Sequence, residues 1–194
     1  MNRLKRMWVW LMRCHYTRGF GVQSPSAYRF IRYVINEHYP YYAYDELAHL
    51  LSEGDAVTAK LARLYFRLAN FCQAECWTLA VENAEVKGEY VVAGCRKTNI
   101  ADCVDGYELD VIAKADVCVM TLESHWQRMF DAFAADARAN SMLVVEDIYA
   151  SKEARRIWKK IIRDNRTVVT YDLYYCGIVF FDRSMHKQHY VVNF

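Results

Sequence analysis

The chain has 194 residues, the length of one domain that buries most of its apolar side chains. Its 25 basic and 23 acidic residues give a net charge of +2, so nothing global indicates a nucleic-acid-binding protein. Seven cysteines, an odd number without a Cys-x-x-Cys pair, indicate free thiols in a cytoplasmic protein rather than a disulfide framework.

The first predicted element is a basic amphipathic helix within residues 1–14. Its apolar face consists of Leu4, Met7, Trp8 and Leu11. The basic residues around this face are Arg3, Lys5, Arg6 and Arg13. Such a helix packs on its own domain or on a second subunit, or it lies on a membrane surface. We favour packing, because it is the commoner use of such a face.

Helices are also predicted for the rest of the first 72 residues. Ser24-Pro25 has the pattern of a helix start, a serine cap followed by proline in the first turn, and Tyr39-Pro40 ends that helix. A longer helix follows Glu53-Gly-Asp55. Between these helices, Tyr41 to Tyr44 either line a pocket for a planar ligand or serve as half-buried packing residues, and we favour packing.

From residue 76, apolar runs typical of strands alternate with helical patterns. Cys76 to Val81 is the first predicted strand, Ala84 to Ala93 a crossover helix with Gly94 as its C-cap, and Thr98 to Asp102 the second strand. The next strand is Ala115 to Thr121.

The stretch between these last two strands is short. Only residues 103–114 lie there, whereas a helix, a strand and another helix need roughly 35 residues or more. We therefore expect that the sheet lacks a strand, or that Tyr107 to Ile112 forms a shortened one.

The last third of the chain has the most regular pattern. Met142 to Ile148 is predicted to be a buried parallel strand, and Ser151 to cap the following helix. Thr167 to Leu173 and Gly177 to Phe181 should pair as an antiparallel hairpin, and Tyr190 to Phe194 should add an edge strand.

Several segments resemble class I S-adenosylmethionine-dependent methyltransferases. Those at the C-terminal end are Val144 to Ser151, Thr167 to Leu173, Cys176 to Phe181 and Lys187 to Tyr190. Within that class, the chain is most similar to a small-molecule O-methyltransferase-like group that carries Gly-Val-(His/Gln)-Ser-Pro near its start, here Gly21-Val-Gln-Ser-Pro25. The resemblance extends over residues 20–40, 60–71 and 115–194.

The resemblance implies an α/β fold, a reduced Rossmann-like class I methyltransferase sheet with parallel strands and a C-terminal antiparallel hairpin. Residues 1–72 would form a helical N-terminal region that is not an independent domain. Residues 73–194 would form the Rossmann-like domain.

The resemblance also points to a cofactor loop after the first strand. Methyltransferases place an acidic, glycine-rich loop there, because only glycine lets the backbone approach the cofactor closely. If Glu82 is the leading acid, Ala84 and Val86 replace two glycines and only Gly88 remains. If the acid position is Ala80, the acid itself is missing.

One further carboxylate has a spacing that suits cofactor binding. Asp102 follows Glu82 by twenty residues, near the separation at which doubly wound folds place an acid on the ribose hydroxyls. The expected cofactor-binding residues are therefore Glu82, Ala84, Gly88 and Asp102. A solvated turn explains Asp102 equally well.

Two residues are candidates for catalysis. Where the relatives carry Asp-Gly-Asn-His, this chain has Leu122 to His125, so His125 is either a general base or the first residue of a helix. Glu146-Asp147 matches an Asp-Asp pair that helps to hold a metal in some relatives. A metal needs three or more oxygen ligands, so we predict no metal and expect Asp147 to cap backbone amides at the sheet edge.

Three functions remain open at this point. We favour a methyltransferase-like protein with a degraded cofactor site and little or no catalysis, retained to bind a small molecule or a protein. The alternatives are an active S-adenosylmethionine-dependent small-molecule O-methyltransferase with an atypical loop, and a membrane-surface or scaffold protein that uses residues 1–14. S-adenosylmethionine is expected as cofactor only if the protein is active, and a homo-oligomer that rebuilds a pocket across its interface is also open.

Overall fold

The computed structural model describes residues 3–16, 21–52, 55–101, 108–123 and 125–194. Helices cover both faces of a central sheet, which makes this an α/β fold as expected. The helices are α1 Arg3–Met12, α2 Pro25–Phe30, α3 Tyr42–Glu46, α4 Ala56–Cys72, α5 Ala84–Gly94, α6 Leu109–Lys114, α7 Trp126–Asp136 and α8 Lys152–Arg163. Helix α2 continues as a π-helical segment over Ile31–Ile35, and short 3₁₀ turns cover Cys14–Tyr16 and Ala48–Leu50.

Seven strands form the sheet in the described part of the chain. They are β1 Cys76–Ala80, β2 Asn99–Ala101, β3 Val117–Met120, β4 Met142–Glu146, β5 Val169–Asp172, β6 Cys176–Phe180 and β7 Gln188–Val191. Their spatial order is β2-β1-β3-β4-β6-β5-β7. The first four strands are parallel, β6 runs antiparallel to β4 and β5, and β7 pairs parallel with β5. The predicted parallel sheet and closing hairpin are confirmed.

The short middle of the chain contributes a helix to the described structure. Leu109–Lys114 is helix α6, so the alternative of a shortened strand over Tyr107 to Ile112 is wrong for the residues that can be described. Tyr107, where this shortened strand would have begun, lies outside the described residues, as do residues 102–106. Strand order reverses between β1 and β3, and ligands of doubly wound sheets bind at such a reversal.

Alternating side chains of the strands fill a core on each face. In β4, Met142 and Val144 pack with helices α2, α4 and α5, whereas Leu143 and Val145 pack with α6, α7 and α8. All five residues of β4 are buried, as the apolar run predicted. The helices of residues 25–72 thus share a core with the sheet.

The predicted helix starts have the expected caps. The hydroxyl oxygen of Ser24 accepts a hydrogen bond from the amide of Ala27 at 3.4 Å, with Pro25 in the first turn. The hydroxyl oxygen of Ser151 accepts one from the amide of Ala154 at 2.9 Å. These side chains satisfy amide groups that a helix leaves unpaired at its first turn.

Helix α1 does not pack its apolar face on its own domain. Leu4, Trp8 and Leu11 are 72%, 62% and 61% exposed, whereas Val9 and Arg13 are buried. The expectation of packing on the same chain is therefore wrong for these side chains. None of the helices among the described residues is long and apolar enough to span a membrane.

Gly94 is the last residue of helix α5 and Cys95 is the C-cap, so the predicted C-cap at Gly94 is wrong by one residue. Gly94 is important for packing instead. A Cβ atom at this position would lie 2.3 Å from the backbone oxygen of Phe66 in α4. By contrast, a Cβ at Gly88 would make ordinary contacts of 3.6 Å and 3.7 Å with side chains of Leu79 and Ile100. The two glycines of one helix therefore differ in their tolerance of a methyl group.

We expect Gly94→Ala to lower the free energy of unfolding by about 1–3 kcal/mol, because α4 and α5 must move apart. Gly88→Ala is the matched control and should be neutral or stabilising by up to about 1 kcal/mol, since alanine favours helix. Urea unfolding followed by circular dichroism measures both. Equal effects of the two substitutions would contradict the proposed close contact of the helices.

Candidate functional site

The carboxyl ends of β1, β3 and β4 meet at one edge of the sheet, beside the reversal of strand order. Three side chains from different elements converge there: Tyr65 from α4, Lys87 from α5 and Glu146, the last residue of β4. Glu146 follows the alternation of β4 onto the face that α4 and α5 cover, so its carboxylate enters the space between these helices and the sheet.

The three side chains form a closed hydrogen-bonded cluster. The Nζ atom of Lys87 lies 2.7 Å and 2.8 Å from the two carboxylate oxygens of Glu146. The hydroxyl of Tyr65 donates to the same carboxylate at 2.5 Å. Lys87 also donates to the backbone oxygen of Glu82 at 2.7 Å. The side chains of Lys87 and Glu146 are only 3% and 6% exposed, so this is a buried ion pair.

Burial dominates the electrostatics of the cluster. Loss of solvent raises the pKa of Glu146, and attraction to Lys87 works against that rise. The pKa of Tyr65 is raised well above its usual value, first by burial and then by the neighbouring charge of Glu146. Tyr65 therefore remains a neutral donor, and the ion pair is internally satisfied. The arrangement suits a structural role better than proton transfer, because the carboxylate is buried and already accepts hydrogen bonds from Lys87 and Tyr65.

The structure gives different positions to the residues expected to bind a cofactor. Glu82 is exposed and contributes its backbone carbonyl to Lys87. Ala84 begins α5 and packs towards the sheet core, while Val86 packs with the cluster between α4 and α5. Gly88 lies against β1 and β2. Asp102 lies outside the described residues.

The turn after β1 takes its unusual backbone from Asn83 rather than from a glycine. Asn83 has φ 54° and ψ 36°, in the left-handed region, and precedes the first residue of α5. Asparagine tolerates this region better than most residues. The turn can therefore form without glycine, but it lacks the bare backbone of a glycine-rich loop.

The two predicted catalytic residues lie at the ends of different strands. His125 has φ 72° and stands at the N-cap of α7, where its side chain makes no capping hydrogen bond. Helix α7 covers the sheet face opposite to Tyr65 and Lys87. His125 thus has the helix-start position that we expected as the structural alternative.

Asp147 directly follows β4 and is exposed, with φ 56°. Burial raises the pKa of the Asp147 carboxyl group. The positive charge of Lys87 lowers this pKa, and the negative charge of Glu82 raises it. The structure therefore brings Glu82 and Asp147 into electrostatic range of each other. Among the described residues, the amide of Asp147 donates to the backbone oxygen of Tyr175 at 2.8 Å, and the backbone oxygen of Asp147 accepts from the amide of Ala150 at 2.9 Å. That the carboxylate of Asp147 caps backbone amides stays a prediction.

A capping carboxylate does occur nearby, on a residue that the sequence did not single out. Asp172, at the end of β5, accepts hydrogen bonds from the amide of Tyr174 at 3.0 Å and from the hydroxyl of Tyr149 at 2.8 Å. Within the described ranges, no three His, Cys, Asp or Glu residues are placed to hold a metal ion.

Sequence analysis also missed Tyr65 and Lys87. Lys87 lies within the predicted helix Ala84 to Ala93 and Tyr65 within the longer predicted helix after Asp55, and no local motif marks either residue. One signal was available: Glu146 ends an otherwise apolar strand, and a buried acid requires a partner. The sequence did not show which lysine supplies it, because Lys87 is 59 positions away.

A separate cleft of about 570 Å³ lies between α4 and residues 35–45. Tyr41 and Tyr44 line it, together with Asn36, Arg63 and Phe194 among others. Tyr44 is buried and its hydroxyl donates to the backbone oxygen of Arg63 at 3.3 Å, whereas Tyr42 is 86% exposed. Tyr44 therefore packs as expected, and Tyr41 and Tyr44 also line the cleft. That the cleft takes a planar ligand stays a prediction.

Comparison with known proteins gives few relatives. No family model matches the chain, and no curated protein sequence shows significant similarity to it. Three solved structures to which this chain is similar are methyltransferases with low sequence identity.

Two of them are structures of MycE methyltransferase from the mycinamycin biosynthetic pathway. The complex with Mg and SAH is 13% identical, with 70% of this chain and 50% of that chain covered and a TM-score of 0.42. The complex with Mg, SAH and mycinamycin VI is 14% identical, with 77% and 50% covered and a TM-score of 0.47. The chain therefore spans about half the length of MycE.

A methyltransferase from Geobacter sulfurreducens is 13% identical, with 71% of this chain and 94% of that chain covered and a TM-score of 0.42. TM-scores below 0.5 support no conclusion about function. The α/β fold therefore rests on the strand order and directions of the sheet itself.

Removing one partner of the buried ion pair should be costly. We expect Lys87→Met to lower the free energy of unfolding by about 3–5 kcal/mol at neutral pH, because Glu146 would keep a buried, uncompensated charge. The double variant Lys87→Met/Glu146→Gln should recover much of this loss. Urea unfolding of the single and double variants measures the difference.

The Lys87→Met variant should also depend on pH in a defined direction. Without Lys87, the pKa of Glu146 in the folded state rises further above that of the unfolded chain, so protonation favours folding. Its deficit relative to the unmodified protein should shrink as pH falls through that raised pKa. Glu153→Gln is the control: it breaks an exposed pair with Arg156 and should cost at most about 1 kcal/mol. A Lys87→Met deficit as small as that would contradict the buried ion pair.

Proposed function

We propose that this chain is an S-adenosylmethionine-dependent methyltransferase-like protein that carries out little or no methyl transfer and uses its fold to bind a small molecule or a protein. The buried Lys87–Glu146 pair, with Tyr65, is the observation that supports this proposal best. It lies where the fold would receive the cofactor, at the carboxyl ends of β1 and β4.

Space at this edge is the first reason. In a cofactor loop after β1, the backbone must lie close to the ligand without side chains in between. Here the backbone oxygen of Glu82 already accepts a hydrogen bond from the Nζ atom of Lys87 at 2.7 Å. The long side chain of Lys87 crosses from α5 to β4 to reach Glu146. Leu122, the residue at the position of the lost acid after β3, is also buried. The residues present do not fit S-adenosylmethionine.

Charge is the second reason. S-adenosylmethionine carries a sulfonium cation at its reacting centre, and an unpaired buried carboxylate nearby would attract that cation with little screening by solvent. Glu146, the acid that would attract a cation, is already neutralised by Lys87 and bonded to Tyr65. Exposed acids remain at Glu82 and Asp147, outside the buried cluster.

The cleft beside α4 supports the binding part of the proposal. Its volume of about 570 Å³ lies within the usual range of small-molecule sites, and tyrosines and arginines line it. One of its lining residues, Asn36, has a buried amide nitrogen without a hydrogen-bond partner among the described residues. A fold without a working cofactor site therefore still offers a place for a ligand.

Calorimetric titration with S-adenosylmethionine and S-adenosylhomocysteine tests the proposal. We expect no binding up to millimolar cofactor, because Lys87 would have to leave Glu146 uncompensated before the site could open. Micromolar binding of either compound would overturn the proposal and make the active O-methyltransferase the better interpretation.

We also expect that Ala84→Gly/Val86→Gly gains no cofactor binding. Ala84 and Val86 pack on the sheet core and on α4, so their removal frees no space beside Lys87. The two glycines should instead cost roughly 1–2 kcal/mol in total through lost helix propensity. Calorimetry detects binding and urea unfolding the loss of stability. Tight binding by this variant would show that the loop alone blocks the cofactor.

A further inference from the structure

Helix α1 presents large apolar side chains to solvent. Six of its ten residues are large, apolar and more than half exposed: Leu4 72%, Met7 66%, Trp8 62%, Trp10 58%, Leu11 61% and Met12 59%. Scattered exposed apolar residues are normal, whereas a contiguous group on one short helix marks an interaction surface.

The opposite side of the helix is fixed to the domain. Arg13, directly after α1, is buried and lies 2.5 Å from a carboxylate oxygen of Asp172. It also donates to the backbone oxygens of Asp172 and Val192 at 3.2 Å each, and its guanidinium lies over the rings of Tyr149 and Tyr174. Several anchoring contacts thus set the orientation of α1 on the domain.

The orientation of α1 is the reverse of that of an ordinary surface helix. At 100° per residue, Val9 and Arg13 share the side that meets the domain. Leu4, Trp8 and Leu11 share the side that points away from it. At Trp8 and Leu11, the apolar stripe that a surface helix would bury in its own core is therefore exposed to solvent.

The charges of the helix indicate which partner. Three basic residues, Arg3, Lys5 and Arg6, lie within α1, and it contains no acidic residue. An anionic lipid surface attracts a helix with this net positive charge, whereas a second copy of the helix carries a charge of the same sign. Trp8 and Trp10 add the residue type that is enriched at the membrane–water interface.

We propose that α1 binds the surface of bilayers that contain anionic phospholipids, with its apolar side inserted among the headgroups. Ten residues of α-helix measure about 15 Å, half the hydrocarbon thickness of a bilayer, so the helix lies in the plane of the interface. This inference does not depend on the state of the site at Lys87.

Flotation with unilamellar vesicles tests the proposal. The unmodified chain should float with vesicles of phosphatidylcholine and phosphatidylserine and far less with phosphatidylcholine alone, and added salt should weaken the binding. Trp8→Gln/Leu11→Gln should lower the partition coefficient roughly tenfold or more, because two inserted side chains are lost. Tyr33→Gln/Tyr42→Gln removes two aromatic residues that are 62% and 86% exposed elsewhere, and should leave flotation unchanged.

Two further measurements separate the outcomes. Urea unfolding should give the same midpoint for Trp8→Gln/Leu11→Gln as for the unmodified protein, since both side chains are exposed. Sedimentation velocity without vesicles should show no dimer that depends on Trp8 and Leu11. Absence of flotation, or a dimer that this double variant abolishes together with an inability to bind vesicles, would overturn the proposal.

Discussion

The buried ion pair between Lys87 and Glu146 is the constraint on which the candidate site depends. Two opposite charges, 3% and 6% exposed, persist in an apolar site only because they neutralise each other and because Tyr65 satisfies a further position of the carboxylate. The same contacts join α4, α5 and β4 at one edge of the sheet. A group that displaced Lys87 would have to replace both its charge and its hydrogen bonds, which is why we propose that no cofactor enters at this edge.

The rest of the sheet is built by ordinary packing and accommodates this closure without distortion. Side chains of β4 alternate between two cores, and each core is completed by helices from one part of the chain. Gly94 allows α5 to approach α4 closely, and Lys87 of the same helix reaches Glu146 in β4. Gly88, the one remaining glycine of the expected cofactor loop, faces β1 and β2 instead of open space. The fold and the closed edge are thus two results of the same helix packing.

The proposed membrane-binding helix lies apart from this edge and is governed by different forces. Arg13 and Asp172 fix α1 through a buried charge pair, which is independent of the side chains that face solvent. Exposed Trp8 and Leu11 contribute nothing to the core, so their presence is better explained by a partner than by folding. A protein with this arrangement would bind a membrane surface through α1, while the buried Lys87–Glu146 pair stays inside the domain.

The sequence by itself determined the elements and their order. The apolar run of β4, the stripe of α8 and the caps at Ser24 and Ser151 are local patterns, and local hydrogen bonds and periodic burial are sufficient to produce them. Only the tertiary structure decided the site, because its contacts join residues that are far apart in the chain. Glu146 has its partner 59 positions away, and α1 is held by a residue 159 positions beyond Arg13. The direction in which a helix turns its apolar face is likewise set by such distant anchors, which is why α1 does not pack that face on its own chain.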